Sequence, residues 1–404
     1  MGDGEERLEE SKALYLAGAT QSIPDTIVDR FTGTIAVAIG ANVAESGLIN
    51  GGRQLALTLP QVLFGGIADQ IGKKKIIIAG RVLAGIALAA LAFVGTPLML
   101  LALVVAVSVA IAMATPAWGS LVGDYAGELR RGTIIGRINS VAQIGGLAAM
   151  VTALIITFNQ TGPMSVASFT PLLLLASASC FASAILISLT EERTPAEGRR
   201  RNLDFGSLFG DRDLRRFLLV SFAFGLGAAT ASPFFSYITV GKLGMSIWQI
   251  AASAAANLAF NVVGQRVFGR IIDRVGRRPV IVFSRVGMAA STIVYAYATD
   301  WTQIVAVEAF VGIELAAWAC GQSTYIIDIA PSRLRATYLA ASMTAVGVSN
   351  FLGSYIMGTL SKGFIASTDY AAISVALLFT AVLRFTIGFA FLTMRESKPA
   401  SQAR

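Results

Sequence analysis

The sequence predicts an all-α membrane protein whose twelve transmembrane helices form two pseudo-symmetric six-helix bundles. Three observations lead to this fold class: an apolar composition, twelve apolar runs of membrane-spanning length and an internal repeat. Of the 404 residues, 55% are hydrophobic and only 14% are charged, whereas a soluble domain has about 25% charged residues. A lipid bilayer is therefore the expected environment of the chain.

The composition also limits the chemistry that the chain can perform. No histidine is present, so imidazole proton relays and histidine-ligated metals are excluded. The two cysteines, Cys180 and Cys320, lie inside apolar runs and lack metal-ligand spacing. The net charge of +8 comes from basic residues in alternate loops, which is typical of membrane topology rather than of nucleic-acid binding. We expect no metal, no cofactor and no nucleic-acid partner, so any proton handling falls to carboxylates.

Twelve apolar runs have the length of a transmembrane helix, which is about 20 residues. They cover approximately 13–39, 47–69, 76–95, 98–122, 134–157, 169–189, 217–240, 246–268, 279–298, 302–326, 337–360 and 370–393. The one long polar stretch of the sequence, 190–215, predicts a cytoplasmic linker between two halves. The predicted division is a cytoplasmic tail at 1–12, a six-helix bundle at 13–189, the linker, a second bundle at 216–393 and a cytoplasmic tail at 394–404.

The positions of the basic residues predict the orientation of these spans. With both termini in the cytoplasm, all but five of the 32 Lys and Arg residues lie at the cytoplasmic face. The exceptions are Arg30, Arg53, Lys242, Lys362 and Arg384. Because basic residues favour cytoplasmic loops, we expect a multi-pass protein of the cell membrane with both termini inside. The acidic N-terminus does not have the pattern of a signal peptide.

An internal repeat relates the two halves at an offset of 204 residues. Residues 65–74 read GGIADQIGKK, and residues 269–278 read GRIIDRVGRR. The same register aligns further identical pairs: Gln61 with Gln265, Phe64 with Phe268, Arg81 with Arg285, Asp124 with Asp328 and Arg131 with Arg335. Each half has six spans of the same orientation, which indicates a parallel repeat whose axis lies along the membrane normal.

On these residues the sequence resembles the major facilitator superfamily across essentially its whole length. The signature turn of that family follows helices 2 and 8 and consists of Gly, three residues, Asp, Arg or Lys, one residue, Gly and two basic residues. The turn from Gly269 to Arg278 matches it completely, and the turn from Gly65 to Lys74 departs once, with Gln70 in place of the basic residue. The resemblance implies a fold of two six-helix bundles and a function in secondary transport.

The charges of the two turns suggest specific roles. Asp69 and Asp273 are each expected to cap the next helix, where a carboxylate meets free amides and the positive end of the helix dipole, or to pair with an arginine at the start of helix 5 or 11. The resemblance implies that this cluster latches the cytoplasmic side shut and opens during the cycle; alternatively, the charges only set topology. The latch candidates are Gly65, Asp69, Gly72, Lys73, Asp124, Arg131, Gly269, Asp273, Arg274, Gly276, Arg277, Asp328 and Arg335.

The first span carries three charges near its middle, namely Asp25, Asp29 and Arg30. Each charge costs roughly 2.5–3.5 kcal/mol at the centre of a membrane helix, so three charges facing lipid would cost about 8–10 kcal/mol. Asp25 and Asp29 are four residues apart and share one helix face, so we expect them to line a wet cavity and to carry protons. In the repeat, Asp25 aligns with an alanine, and the intramembrane Glu314 also aligns with an alanine. Fold symmetry does not require these acids, and function explains them better.

The family resemblance implies that helices 1, 4, 7 and 10 line a central cavity. The candidate substrate and proton site comprises Asp25, Asp29, Arg30, Arg53, Trp118, Tyr237, Glu308, Glu314, Trp318, Gln322 and Arg384. Two interpretations stay open for some of these residues. Arg53 and Arg384 either neutralise a buried acid or contact the solute, and the two tryptophans either pack in the core or provide a surface for a ligand.

The favoured function is secondary active transport of a small organic solute by alternating access, coupled to protons through the intramembrane carboxylates. No P-loop motif is present in the sequence, so the energy is expected to come from an ion gradient or from the gradient of the solute. The alternatives are a gradient-driven uniporter and an organic-anion exchanger that uses the intramembrane arginines; a sensor or a channel is less favoured. The sequence contains no nucleophile–base constellation, so we do not expect an enzyme. The expected partners are the lipid bilayer, a small solute and protons, and we expect a monomer.

Overall fold

The part of the chain that the structure describes consists mainly of long helices. The computed structural model describes residues 2–125, 127–160, 164–190, 210–331, 334–362, 365–366 and 368–397. Within these ranges it has twelve α-helices and no strand: α1 (Gly2–Ala38), α2 (Val43–Ile71), α3 (Lys73–Leu91), α4 (Pro97–Tyr125), α5 (Gly127–Thr157), α6 (Val166–Ser188), α7 (Arg212–Ala229), α8 (Ile247–Val275), α9 (Arg277–Tyr297), α10 (Trp301–Ile329), α11 (Arg335–Ser361) and α12 (Tyr370–Ala390). A π-helix, Tyr237–Lys242, follows α7, and a 3-10 helix, Phe391–Thr393, follows α12. The predicted all-α fold class is confirmed.

Many of these helices are suited to lipid. Among the described residues, eight helices are long and apolar enough to cross a membrane by length and composition. The remaining four are α1, α2, α3 and α7, and each of them contains charged residues. Large apolar side chains such as Leu98, Ile155 and Val375 are exposed on the helix surfaces. Water would disfavour so much exposed apolar area, whereas a bilayer covers it.

The internal repeat of the sequence is also a repeat of structure. α2 and α8 begin and end at positions 204 residues apart, and so do α4 and α10. The helix contacts repeat as well: α1 packs on α5 and α6, and α3 packs on α4 and α6. The equivalent helices of the second half make the same contacts, since α7 packs on α11 and α12, and α9 packs on α10 and α12. The pseudo-symmetry predicted from the signature turns is therefore confirmed.

Two compact units make up the chain. The first, here the N-terminal unit, comprises Met1–Ala41 and Gly52–Arg200, and the second, the C-terminal unit, comprises Asn42–Gly51 and Arg201–Arg404. The predicted boundaries at 12, 189, 215 and 393 stay predictions.

One predicted helix is wrong in its extent. The sequence predicts a continuous span at 217–240, but α7 ends at Ala229, residues 230–234 form a turn, and a π-helix begins at Tyr237. Pro233 contributes to the break, because it lacks an amide hydrogen and its ring collides with the carbonyl four residues earlier. That carbonyl belongs to Ala229, the last residue of α7.

Candidate substrate and proton site

The N-terminal unit brings the charges of α1 together with arginines of two other helices. Arg53 of α2 donates from Nη2 to Oδ1 of Asp29 at 2.5 Å. Nε of Arg30 lies 3.7 Å from the other oxygen of Asp29. One turn earlier, Arg81 of α3 donates from Nη1 to Oδ1 of Asp25 at 3.5 Å. Each aspartate of the first span therefore has an arginine partner within its own unit.

The two partners of each pair differ in accessibility. The side chains of Asp25 and Asp29 are 41% and 47% exposed, whereas those of Arg81 and Arg53 are 1% and 10% exposed. The carboxylates thus face open space, and the guanidiniums lie behind them in the bundle. Each buried guanidinium therefore has a carboxylate close enough to compensate its charge.

The C-terminal unit contains a buried carboxylate and two buried arginines. Glu314 of α10 is 1% exposed, and its Oε2 accepts a hydrogen bond from Ser291 at 3.0 Å. Arg384 of α12 donates to the hydroxyl of Thr292 at 2.6 Å and to the carbonyl of Ala228 at 2.8 Å. Arg285 of α9, the other arginine, lies with its guanidinium carbon 3.5 Å from the centroid of an indole ring.

Glu308, the second acid of α10, belongs to a separate polar network. Its carboxylate accepts hydrogen bonds from the amide of Asn257 at 2.9 Å and from the hydroxyl of Tyr295 at 2.7 Å. The ring of Tyr295 also contacts that of Phe235 at a centroid distance of 4.7 Å. Both carboxylate oxygens of Glu308 are engaged, as a buried acid requires.

The remaining candidates of the site are dispersed. Trp118 packs against the core cluster around α1 and α4. Tyr237 lies in the π-helix and shares a hydrogen bond with Ser46 at 3.2 Å. Gln322 donates to Ser342 at 3.0 Å. Trp318 is the aromatic side chain that covers Arg285, so of these candidates it alone joins the buried charges.

The second signature turn is held by ion pairs within the C-terminal unit. Arg277, the first residue of α9, donates from Nε to Oδ2 of Asp328 at 2.8 Å. Its Nη1 lies 3.9 Å from Oδ1 of Asp273. Gly276 forms the turn with φ of +101°, and Gly72 forms the first turn with φ of +111°, a conformation that favours glycine. Arg274 points outward from the same turn, and a side chain at Gly269 would meet only open space.

The predicted capping by Asp273 is wrong, and the predicted capping by Asp69 stays a prediction, because the side chain of Asp69 lies outside the described part of the structure. Asp273 lies inside α8, and the N-cap of α9 is Gly276, which makes no side-chain cap hydrogen bond. The amides at the start of α9 instead meet Glu396, whose Oε1 accepts from the backbone N–H groups of Arg277 at 2.7 Å and Arg278 at 3.4 Å. In the first turn the N-cap of α3 is Gly72, again without a side-chain cap.

Some latch candidates are described only in part. Lys73 is buried at the start of α3. The side chains of five candidates lie outside the described part of the structure, and they are Gly65, Asp69, Asp124, Arg131 and Arg335. Their expected pairing and latch roles stay predictions.

The sequence-based site lacked the two arginines that contribute most to the charge clusters. Arg81 and Arg285 are 1% and 7% exposed, and each lies among the charged or aromatic candidates of its unit. A signal for them existed, since they are identical residues at the 204-residue offset. A buried charge is costly in a membrane protein, so a buried charge that is present in both halves is a candidate functional residue. Apolar helices of membrane-spanning length with such charges in mid-helix define the class of protein as a membrane transporter of small solutes rather than an enzyme.

The chain belongs to the Major Facilitator Superfamily, whose family model matches residues 14–259 and 217–404. An uncharacterized MFS-type transporter of Methanocaldococcus jannaschii is 22% identical over 370 residues, which are 87% of this chain and 89% of the relative. A variant of the nucleoside transporter NupG superposes with a TM-score of 0.80 at 15% identity, over 95% of this chain and 99% of that chain. A D-xylose-proton symporter superposes with a TM-score of 0.72 at 14% identity, over 100% of both chains.

Proposed function

We propose that this protein is a secondary active transporter that moves a small organic solute by alternating access and is coupled to protons through Asp25 and Asp29. The observation that carries the proposal is the arrangement of two accessible carboxylates, each backed by a buried arginine, in one face of α1. Protonation of either acid removes one side of an ion pair inside the bundle. The free energy of the surrounding helices then depends on proton occupancy, as coupling requires.

Protonation of either aspartate leaves a buried arginine without its counter-ion. An arginine stays positive at every physiological pH, so a proton on Asp29 leaves Arg53 in need of another partner. Asp29 contacts two guanidiniums and Asp25 contacts one. The less strongly held acid, Asp25, is therefore proposed as the first to accept a proton. The existence of a D-xylose-proton symporter with this fold supports proton coupling.

The signature turns are proposed to act as the cytoplasmic latch of this cycle. The ion pair of Arg277 and Asp328 supports the proposal, because it ties the start of α9 to the end of α10 in a form that movement of either helix would break. The proposed location is the cell membrane, with both termini in the cytoplasm and the protein acting as a monomer.

The test first identifies a solute that binds to the protein. A thermal-shift screen of sugars, nucleosides, organic acids and organic cations on the detergent-purified protein identifies a stabilising solute. Proteoliposomes then measure uptake of that labelled solute with and without an imposed pH gradient. We expect the gradient to drive accumulation in the wild-type protein, and Asp25→Asn and Asp29→Asn to abolish accumulation while exchange of labelled for unlabelled solute continues. Unchanged pH-driven accumulation in both variants would contradict the proposal.

Asp369→Asn is the matched control, because it removes an exposed carboxylate that lies outside the candidate site, at the N-cap of α12. This variant is expected to accumulate the solute under a pH gradient to the same extent and in the same direction as the wild-type protein. Counterflow also separates a carrier from a channel, since only a carrier exchanges labelled for unlabelled solute.

A further inference from the structure

One arginine that is repeated in both halves of the protein has a different environment in each half. Arg81 and Arg285 are equivalent at the 204-residue offset, and both are almost completely buried. Arg81 has a counter-ion, Asp25, at 3.5 Å. The residue equivalent to Asp25 in the second half is Ala229, which has no charge. Arg285 thus occupies the same place in the fold without the carboxylate that neutralises its counterpart.

Arg285 forms no ion pair within 4.0 Å in the described part of the chain. Its Nε has no hydrogen-bond partner among the described residues, and its Nη1 donates to the sulfur of Met288 at 3.4 Å. The guanidinium lies 3.5 Å from the centroid of the Trp318 ring and 4.9 Å from that of Phe224. Aromatic faces stabilise a cation, but they do not satisfy its N–H groups or neutralise its charge.

Two further buried charges near Arg285 also have unsatisfied polar atoms. Nε of Arg384 and Oε1 of Glu314 have no hydrogen-bond partner within the described chain, although both side chains are more than nine-tenths buried. Within the described residues neither arginine forms an ion pair within 4.0 Å, and the charge of Glu314 acts on both of them, so one carboxylate is shared between two cations. Unpaired buried charges are costly, which indicates that the cluster formed by Arg285, Arg384 and Glu314 is incomplete without a further anionic group.

We propose that Arg285 binds the carboxylate of the transported solute, which makes the substrate class a small organic acid. Arg384 is the second cation of this subsite, and the partly buried Trp318, whose ring covers Arg285, supplies an apolar surface for the body of the solute. This inference rests on the proposed function and deepens it: the acids of the N-terminal unit bind protons, and the arginines of the C-terminal unit bind the anion. A solute carboxylate takes the place at Arg285 that Asp25 takes at Arg81.

The chain offers a test that follows from its own symmetry. Ala229→Asp introduces at the equivalent position the acid that pairs with Arg81, so an internal carboxylate is expected to compete with the solute. Arg285→Gln removes the cation, and Arg285→Lys keeps the charge while losing the planar, forked donor geometry. Arg270→Gln is the matched control, because it removes an exposed arginine of the same unit.

The experiment measures thermal stabilisation of the detergent-purified full chain by acetate, lactate and benzoate, each compared with its amide. Sodium chloride is added to the amide samples so that the ionic strength is equal. We expect at least one acid, and no amide, to raise the melting temperature of the wild-type protein and of Arg270→Gln. We expect the apparent affinity for that acid to fall at least tenfold in Arg285→Gln and Ala229→Asp, and less in Arg285→Lys.

Three results would overturn the inference: equal stabilisation by acid and amide, stabilisation by sodium chloride alone, or unchanged affinity in Arg285→Gln. The wild-type comparison needs no variant, so a variant that fails to fold does not block the test. The proposed function fails separately, because its readout is pH-driven accumulation and its variants lie in the other unit. If acids bind through Arg285 but accumulation ignores the pH gradient, only proton coupling is refuted. If a neutral solute is accumulated under a pH gradient and no acid binds, only this inference is refuted.

Discussion

Nη1 of Arg81 lies 3.5 Å from Oδ1 of Asp25, and the two side chains differ sharply in burial, since 1% of the arginine and 41% of the aspartate is exposed. The two partners therefore depend on each other unequally. Asp25 keeps an exposed side if the arginine is lost, whereas Arg81 remains enclosed in the bundle if the aspartate is lost. A buried charge without its partner is the more costly of the two outcomes.

This asymmetry predicts the sign of the coupling free energy that a double-mutant cycle of Asp25 and Arg81 would measure. Loss of a buried partner costs about 3–5 kcal/mol in full burial, and the half-exposed Asp25 reduces this to about 2 kcal/mol. We expect Asp25→Asn to lower the melting temperature of the detergent-purified protein by about 2–3 °C. The double variant Asp25→Asn/Arg81→Gln is expected to be at least as stable as Asp25→Asn alone, since it removes the stranded charge. Strictly additive losses in the cycle would show that the two side chains are not coupled.

The sequence predicts most of the helices and the internal repeat, because both leave regular patterns in it. Lipid-length apolar runs and two copies of one turn are local signals, and they predicted the helices and the repeat. The break in α7 was not predicted, because a proline alone does not end a membrane helix. Pro24, Pro60, Pro116 and Pro171 all lie inside continuous helices, whereas α7 ends four residues before Pro233.

The site was predicted less completely than the fold, for a different physical reason. The position of a charge in a span is visible in the sequence, but its partner depends on how neighbouring helices are rotated. Arg53 was predicted either to neutralise an acid or to contact the solute, and it contacts Asp29. The cap supplied by Glu396 lies 119 residues from the amide that it accepts from, outside any periodic pattern. Long-range contacts of this kind require the fold.

Close packing between α8 and α10 makes Gly312 intolerant of a side chain. A Cβ at this position would lie 2.2 Å from the carbonyl oxygen of Asn257 and 3.0 Å from its carbonyl carbon. These are backbone atoms, so the two helices must separate. We expect Gly312→Ala to destabilise the protein by about 1–3 kcal/mol, measured by thermal unfolding. In Gly119→Ala, a helical glycine with nothing within 4 Å of the added carbon, we expect no loss, because alanine favours helix by about 1 kcal/mol. Equal losses at both positions would refute this account of the packing.

The N-cap of α10 predicts an effect of acid pH. Asp300 accepts a hydrogen bond from the backbone N–H of Thr302 at 2.8 Å and another from its hydroxyl. These hydrogen bonds, chiefly that of the Thr302 hydroxyl, hold the pKa of Asp300 below its ordinary value of 3.8. A lowered folded-state pKa contributes stability that is present above the unfolded value and is lost as the pH falls through the folded value. We expect Asp300→Asn to melt at a lower temperature than the wild type at pH 7, and the difference to shrink as the pH falls below 3.8. A difference that stays constant or grows towards acid pH would contradict this assignment.

The start of α9 tests which acid caps it. Glu396 is one-fifth exposed and accepts hydrogen bonds from two amides at the first turn of the helix, whereas Asp273 is 70% exposed and lies 3.9 Å from its nearest cation. A side chain that satisfies free amides at a helix N-terminus stabilises a protein by about 1 kcal/mol, and an exposed ion pair contributes about 0–1 kcal/mol. We therefore expect Glu396→Ala to lower the melting temperature by about 1–2 °C, and Asp273→Ala to lower it less.

Glu396→Gln separates the two parts of this contribution. A glutamine oxygen still accepts the amide hydrogen bonds, but it lacks the charge that interacts with the helix dipole and with Arg278, whose Nε lies 3.8 Å from the carboxylate. The variant is expected to melt between the wild type and Glu396→Ala, and the gap between wild type and Glu396→Gln is expected to narrow at high salt, because screening weakens the charge-dependent part. A larger loss of stability in Asp273→Ala than in Glu396→Ala would contradict this assignment. It would indicate that Asp273 of the signature turn, rather than Glu396, stabilises the start of α9.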